Sequence, residues 1–454
     1  MNSPSLGRRE AAAVATAVFC TGLATYFVAD NAVSLALMAA AAAYAYSLLG
    51  LGKISRERAV GLIGGAAAVG LGRILVAAAR PFLDPSTWGT WDFLCFYLDG
   101  SVAIRGLNVY DPANYELVFN QLSIPFEPDP DFGEGILKVA FMYPPPTMLV
   151  FAWLGLLPFG AAQLLWYLLV LAGGALVISL VVPHIPTDAP RLERTLFAAA
   201  LVMLSHAATV NVAFGQTHWF GLAATLAAMR AGPRLVSGLY GAVALLIKPF
   251  LLAVPAYLFL QRYWRSSAAS IVTYAALALL VVILFGFETT AAYLSVNPAD
   301  RVPLSLYLQT VNQSLLATML RLAQSFTPLE TSPIAYPPFL VSALVVLTST
   351  ALLAVRLART RDPLLLSLLL TCALLVYPGT LTPYSVFLIV PTVQLLERHP
   401  EVMRSPGLLA FILGSLYFLM GAQAAAFFAN LAAWLAVLVS AALGTSRATQ
   451  SKQS

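Results

Sequence analysis

Long apolar runs with almost no charge constrain this chain more than any other feature of its sequence. The stretch 235–260, for example, contains a single charged side chain, Lys248. Hydrophobic residues make up 60% of the 454 and charged residues only 10%, whereas an average soluble domain carries roughly 25% charged residues. A soluble fold cannot hide so much apolar surface from water. The sequence therefore predicts a polytopic membrane protein and excludes a soluble enzyme, a disordered protein and a nucleic-acid binder.

The apolar runs define the predicted membrane spans, since a helix that crosses a bilayer needs about 20 apolar residues. We expect an all-α bundle of roughly 12–14 hydrophobic helices. The candidate spans are 10–29, 33–52, 60–80, 146–182, 195–213, 218–230, 236–260, 268–287, 338–357, 363–378, 382–396, 406–421 and 423–443. Three regions follow from them: an N-terminal extra pair of spans (1–59), a membrane core (60–396), and C-terminal spans with a cytoplasmic tail (397–454).

One of these runs leaves the topology open. Residues 146–182 are long enough for two helices, but the motif Leu-Pro-Phe-Gly at 157–160 interrupts them. Two full crossings would place the following loop, with Arg191 and Arg194, outside the cell. A partial first half would place that loop in the cytoplasm, where its positive charge is expected, and we favour this second interpretation.

Basic residues orient the chain, because Lys and Arg collect in cytoplasmic loops. The segment 81–145 instead holds nine carboxylates, and its only cations are Arg105 and Lys138. This segment and a second polar segment, 288–337, are therefore predicted to be outer loops. The clusters predicted to face the cytoplasm are Lys53 to Arg58, Arg191 to Arg194, Arg262 to Arg265, Arg356 to Arg361, and the C-terminal Arg398, Arg404 and Arg447.

The first outer loop carries the residue best placed for chemistry. Asp92 follows the third predicted span and lies between Trp91 and Phe93, and such aromatic residues are typical of a membrane interface. A carboxylate there can meet a substrate whose tail is in lipid and whose head is in water. It can also accept the proton of an attacking hydroxyl as a general base. The structural alternative is that Asp92 caps a short helix, since Asp is a good N-cap residue.

Several short motifs, taken in order along the chain, resemble those of glycosyltransferase family 87. They are Asp-Phe-x-x-aromatic-Tyr at 92–97, Gly-x-x-x-Tyr-Asp at 106–111, Tyr-Pro-Pro at 143–145, Gly-Gln-Thr-His at 215–218, Leu-Ile-Lys-Pro at 246–249, Asn-Gln-Ser at 312–314 and Leu-Arg-Leu at 320–322. The sequence departs from the family at two places. His218 stands where Asn is usual, and Pro383-Tyr384 stands where the family often has His-Tyr.

The resemblance implies a fold and a reaction. Family 87 belongs to the membrane-embedded GT-C group and includes polyprenol-phosphate-mannose-dependent mannosyltransferases. It implies a GT-C-type helical bundle with short helices in the first outer loop. It also implies inverting transfer of a hexose, mannose first, from a polyprenyl-phosphate donor to a lipid or glycan acceptor at the outer face of a bacterial cytoplasmic membrane. Asp92 would be the general base, with membrane lipids as the surroundings and no metal or other cofactor. The alternatives are a secondary transporter and a lipid-linked glycan ligase or flippase-like protein.

The remaining candidates are cations and polar side chains. Lys248 is predicted to contact the donor phosphate or the site carboxylate, because a lone intramembrane ammonium needs a partner or water; the alternative is outward snorkelling. Asp99, seven residues after Asp92 and so on the same helical face, is a candidate second carboxylate. The outer cations that could bind the phosphate or the substrate are Arg105, Lys138, Arg301 and Arg321. The predicted cavity-lining residues are Tyr97, Tyr143, Gln216, His218, Asn312, Gln313 and Tyr384.

Overall fold

A computed structural model describes residues 56–84, 91–122, 143–295, 307–324, 336–400 and 426–450. Within these ranges the chain is helical and has no strand, which confirms the prediction of an all-α polytopic membrane protein. The helices are α1 (Arg56–Leu83), α2 (Trp91–Ile104), α3 (Pro112–Gln121), α4 (Phe159–Val181), α5 (Arg191–Met203), α6 (His206–Ala213), α7 (His218–Ala231), α8 (Leu235–Ile247), α9 (Ala253–Leu260), α10 (Trp264–Phe285), α11 (Phe287–Ser295), α12 (Leu315–Gln324), α13 (Pro337–Thr360), α14 (Leu364–Val376), α15 (Ile389–Arg398) and α16 (Ala426–Gln450). The candidate spans 10–29, 33–52 and 406–421 lie outside the described residues.

Four of these helices are long and apolar enough to cross a membrane. They are Ile63–Leu83 of α1, Phe159–His184 with α4, Trp264–Phe285 and Pro337–Thr360. A fifth span exists if α5 and α6, which are bent by 70° at a short break, are counted together. Most of the surface of α10 faces away from the protein, as expected for a helix that packs against lipid.

Several other apolar helices are much shorter. Helix α7 has 14 residues, and α8 and α14 have 13 each. At 1.5 Å per residue such helices are about 20 Å long, whereas the hydrocarbon core of a bilayer is roughly 30 Å thick. Each of these helices is therefore too short to cross the hydrocarbon core, and the chain turns at its end.

Contacts between loops show which helix ends lie together. His184 Nδ1 lies 2.8 Å from Glu397 Oε1, and Arg398 forms a 2.6 Å ion pair with Asp362. Gln261 Nε2 donates to the Asp362 carbonyl at 2.9 Å. The loops that follow α4, α9 and α13 therefore meet the end of α15 at one end of the bundle. We call this the basic end, because the Arg191, Arg262, Arg356 and Arg398 clusters all lie in or beside these loops.

This arrangement answers the question raised by residues 146–182. The first half, Pro145–Leu156, consists of short 3-10 and α-helical turns and ends at Pro158, where α4 begins. It is too short for a full crossing. The Arg191 loop lies at the basic end with the other cationic loops, as the interpretation with a partial first half requires.

The described part of the segment 81–145, which is predicted to be the first outer loop, folds into the short helices α2 and α3, as expected. Asp111 caps α3 by accepting the N–H of Ala113 at 3.0 Å. Helix α2 crosses the Pro145–Leu156 segment in backbone contact at Gly100, where an added Cβ would lie 2.2 Å from the Phe151 carbonyl oxygen. This contact fixes the position of α2 over the bundle, and with it the position of Asp92.

Candidate active site

Asp92 is the second residue of α2 and points toward the turn between α6 and α7. Its side chain is partly exposed and accepts a hydrogen bond from the Gln216 side chain. Burial raises the pKa of Asp92 to about 6, while the hydrogen bond from Gln216 and the charge of Lys248 oppose the rise. The carboxylate is therefore mostly ionised at neutral pH and has a pKa near the range in which a general base works best.

Lys248 lies at the break between α8 and the 3-10 turn Pro249–Leu252. Its backbone is extended (φ −149°, ψ 133°), because Pro249 disfavours helical geometry in the preceding residue. The side chain is 2% exposed, and Nζ donates to Tyr143 Oη at 2.6 Å. Nζ also lies 4.3 Å and 4.9 Å from the ring centroids of Tyr143 and Tyr384. The ammonium is thus held inside the protein by a phenol and two aromatic faces.

The carboxylate of Asp92 and the ammonium of Lys248 influence each other without forming an ion pair. The charge of Lys248 lowers the pKa of Asp92, so the two groups are near neighbours. Among the described residues, the ion pairs within 4.0 Å join His184 to Glu397 and Arg398 to Asp362. Two opposite charges therefore lie near each other, and the carboxylate and the ammonium can each form a further hydrogen bond.

A tight turn brings polar side chains from α6 and α7 to the same place. Gly215 adopts a φ of 65°, which favours glycine, and its carbonyl accepts the indole N–H of Trp166 at 2.6 Å. Beyond this turn, His218 Nδ1 lies 3.0 Å from Asn211 Oδ1. The His218 ring is 4.4 Å from the ring of Tyr384.

These contacts form a continuous series of neighbouring residues between the two charged groups. The series runs from Asp92 through Gln216, Asn211, His218 and Tyr384 to Lys248. We call this group the polar centre. Its members are Asp92, Tyr143, Asn211, Gln216, His218, Lys248 and Tyr384, together with Thr217, which lies between Gln216 and His218 in the turn. The sequence did not predict Asn211 or Thr217; a lone amide within the candidate span 195–213 was the signal that could have found Asn211.

Tyr97 and Asp99, which follow Asp92 on α2, face other parts of the protein. Tyr97 Oη donates to the Leu157 carbonyl at 3.0 Å and so holds the end of the Pro145–Leu156 segment. Asp99 accepts a hydrogen bond from Tyr115 Oη and thereby joins α2 to α3. Burial raises the pKa of Asp99 to about 8, with the hydrogen bond from Tyr115 opposing the rise. Asp99 is therefore mostly protonated at neutral pH.

The predicted outer cations do not gather at the polar centre in the described structure. Arg105 follows the last residue of α2, about 20 Å from Asp92 along the helix, and donates to the Ser101 carbonyl at 2.7 Å. Arg321 donates through Nη1 to the carbonyls of Gln309 and Asn312, at 2.8 Å each. Lys138 and Arg301 lie outside the described residues.

Asn312 and Gln313 form a separate buried cluster. Asn312 Nδ2 donates to the Pro378 carbonyl at 3.0 Å, and its Oδ1 accepts the N–H of Ser314 at 3.1 Å. Gln313 Nε2 donates to the Thr310 carbonyl, and Oε1 accepts the N–H of Phe427 at 2.7 Å. We call Asn312 and Gln313 with these partners the loop junction, because they fasten the loop before α12 to the loop after α14 and to α16.

No group of three or more His, Cys, Asp or Glu side chains that could hold a metal ion is found among the residues that the structure describes. The polar centre offers one carboxylate, one imidazole and one ammonium.

Comparison with known proteins identifies a family. The family model of glycosyltransferase family 87 matches residues 141–391, which is more than half of the chain. The matched range contains every member of the polar centre except Asp92. No curated protein and no solved structure matches the chain.

Proposed function

The chain belongs to glycosyltransferase family 87 and is a membrane glycosyltransferase, and from this premise we propose that it transfers a hexose from a polyprenyl-phosphate donor to a lipid or glycan acceptor. The observation that carries the proposal is the pair of opposite charges in the polar centre. Asp92 is half-buried and Lys248 is buried; they lie near each other and are not paired with each other. A base close to a cation is what a transfer with an anionic leaving group requires.

Asp92 and Lys248 have different roles in the proposed reaction. The acceptor hydroxyl gives its proton to the Asp92 carboxylate, and its oxygen attacks the anomeric carbon of the hexose. The bond between that carbon and the phosphate oxygen breaks, and polyprenyl phosphate leaves with the electron pair. The Lys248 ammonium stabilises the charge that develops on the phosphate. Because attack and departure occur on opposite faces of the sugar, the anomeric configuration inverts.

The depth of the polar centre suits a lipid-linked donor. Helices α7, α8 and α14 extend from the basic end only about 20 Å, and the polar centre lies at their far tips. We propose that the basic end faces the cytoplasm, as the positive-inside rule predicts. The polar centre then lies toward the outer face, roughly 10 Å below the surface of the hydrocarbon core, where a phosphate attached to a polyprenyl chain can reach it.

A turnover assay with purified protein tests this function. The donors would be sugar-labelled polyprenyl-phosphate mannose, the corresponding glucose compound, and nucleotide-activated forms of both sugars as controls. We expect release of free polyprenyl phosphate and movement of the label into an acceptor lipid fraction, with no turnover of nucleotide sugars. Transfer from nucleotide sugars alone, or transfer that survives Asp92→Asn at the wild-type rate, would contradict the proposal.

The orientation is tested by cysteine labelling in intact cells. Glu116 on α3 and Arg359 near the basic end are both exposed and form a matched pair. In a background in which Cys20, Cys95 and Cys372 are replaced, we expect Glu116→Cys to react with a membrane-impermeant thiol reagent and Arg359→Cys to react only after lysis. The reverse pattern would invert the topology.

A further inference from the structure

The turn between α6 and α7 contains an unusual number of buried polar atoms without a hydrogen-bond partner. They are Asn211 Nδ2, Gln216 Oε1, Thr217 Oγ1 and His218 Nε2. The four side chains are at most 2% exposed. Buried polar atoms are nearly always hydrogen-bonded, since leaving one unpaired costs free energy. Four such atoms within eight residues of sequence therefore indicate that this region completes its hydrogen bonds with a ligand.

Two of these side chains, Gln216 and His218, lie beside the two charges. The amide of Gln216 uses its N–H₂ group on Asp92, and its oxygen is left over. The imidazole of His218 packs against Tyr384, whose ring also lies under the ammonium of Lys248. The unpartnered atoms of Gln216 and His218 thus lie beside the charged groups of the proposed reaction.

The chemical types of these atoms specify what they can bind. The Asn211 oxygen can only accept, so His218 Nδ1 carries the proton of their hydrogen bond, and Nε2 of the neutral ring is an acceptor. Gln216 Oε1 is a second acceptor, Asn211 Nδ2 is a donor, and the hydroxyl of Thr217 can do both. A neutral mixture of donors and acceptors suits hydroxyl groups, whereas a phosphate would need donors throughout.

We propose that Asn211, Gln216, Thr217 and His218 bind the hydroxyl groups of the transferred hexose and determine which hexose is accepted. This inference rests on the proposed function, because it places the sugar of the donor beside Asp92 and its phosphate beside Lys248. The site then has a charged part for the reacting groups and a neutral part for the sugar. Among the four residues, His218 supplies its acceptor from an aromatic ring, so this chain's sugar preference depends on an imidazole nitrogen.

Two substitutions at position 218 separate recognition from packing. His218→Phe keeps a ring against Tyr384 but removes the acceptor Nε2. His218→Asn removes the ring but supplies an amide oxygen. Asn211→Leu, which removes the donor Nδ2 at similar volume, is a second test if position 218 does not tolerate change. The matched control is Gln394→Met, because Gln394 is a buried amide whose partners are Ser367 and Met229, near the end of α15.

The test measures binding and turnover with a short-chain donor, decyl phosphate hexose, and with analogues that each lack one sugar hydroxyl. In the wild type we expect removal of a recognised hydroxyl to weaken binding about tenfold to a hundredfold. The parent compound should bind His218→Phe more weakly than the wild type by a similar factor. The analogue that lacks the hydroxyl bound by His218 should bind this variant as well as the parent compound does. His218→Asn should restore part of the discrimination at that hydroxyl. Gln394→Met should lower only the melting temperature.

Two results would overturn the inference. One is that no hydroxyl removal affects binding to the wild type, which would mean that ordered water alone satisfies these atoms. The other is that His218→Phe and Asn211→Leu weaken all analogues equally and leave every ratio at its wild-type value. Binding is measured separately from turnover, so the two proposals can fail separately. If the protein distinguishes the hydroxyl analogues in binding but transfers no sugar, the proposed function is contradicted and the sugar site stands. If it transfers the sugar but binds all analogues alike, the sugar site is contradicted and the proposed function stands.

Discussion

The polar centre and the loop junction are both built from buried polar side chains where short apolar helices end, but their hydrogen bonds differ. At the loop junction, both amide atoms of Asn312 and both of Gln313 are bonded to groups of the protein. At the polar centre, Asn211, Gln216 and His218 each have one atom left over. A fully bonded cluster fixes loops, whereas a cluster with unused donors and acceptors is prepared for a ligand. The residue types alone do not make this distinction.

The largest expected effect is at Asp92. Asp92→Asn removes the base but keeps the size of the side chain, so turnover should fall by about 10²–10⁴, with donor binding nearly unchanged. Asp99→Asn is the matched control on the same helix. Asp99 is mostly protonated and accepts from Tyr115, and an amide can replace a neutral carboxylic acid there. A large loss of activity in Asp99→Asn with normal activity in Asp92→Asn would exchange the two roles.

The next largest effect is expected at Lys248. Lys248→Met removes the cation that stabilises the leaving phosphate, and the loss of such a group typically costs about 10²–10³ in kcat. Stability should hold or rise, because a buried charge has been removed. Lys248→Arg should rescue poorly, since a planar guanidinium does not replace a compact ammonium between two rings. Normal kinetics in Lys248→Met with both substrates would show that this ammonium is structural.

The pH dependence of turnover should report the base. Because burial raises the pKa of Asp92 to about 6, kcat/KM should fall about tenfold for each pH unit below that value. The fall follows from protonation of the carboxylate, which then cannot accept the acceptor's proton. The profile should be unchanged in Asp99→Asn. A rate that rises as the pH falls through 6 would contradict a carboxylate base.

The smallest effect on catalysis is expected at the loop junction. Asn312→Ala leaves the Pro378 carbonyl and the Ser314 N–H without their partner, which should cost roughly 1–3 kcal/mol of stability. The KM for the donor and the kcat of the folded fraction should stay near wild type. These are checked by thermal unfolding together with kinetics at saturating donor. A raised KM at unchanged stability would show that Asn312 contacts substrate and would remove the distinction between the two clusters.

Much of the fold and part of the site could be predicted from the sequence. An apolar run of sufficient length predicts a membrane span independently of the sequence on either side of it. The short helices α2 and α3 also appear where expected. Lys248 was singled out because it interrupts an apolar run, and Gln216 and His218 because they lie in a glycine-containing turn where two candidate spans meet. The structure brings all three together with Asp92, Tyr143 and Tyr384.

The directions of individual side chains could not be predicted in the same way. Tyr97 and Asp99 share a helix with Asp92, yet they bond to Leu157 and Tyr115. Asn312 and Gln313 turn toward backbone groups of distant segments. These partners are set by tertiary packing, and the local sequence pattern contains no information about it.

The most direct test of the account is a structure of the Asp92→Asn variant with a polyprenyl-phosphate hexose bound. We expect the donor phosphate to lie within hydrogen-bond distance of Lys248 Nζ, the anomeric carbon to face position 92, and the sugar hydroxyls to contact His218 and Asn211. A donor whose phosphate lies on Arg321 or Arg105, with Lys248 still bonded only to Tyr143, would contradict it.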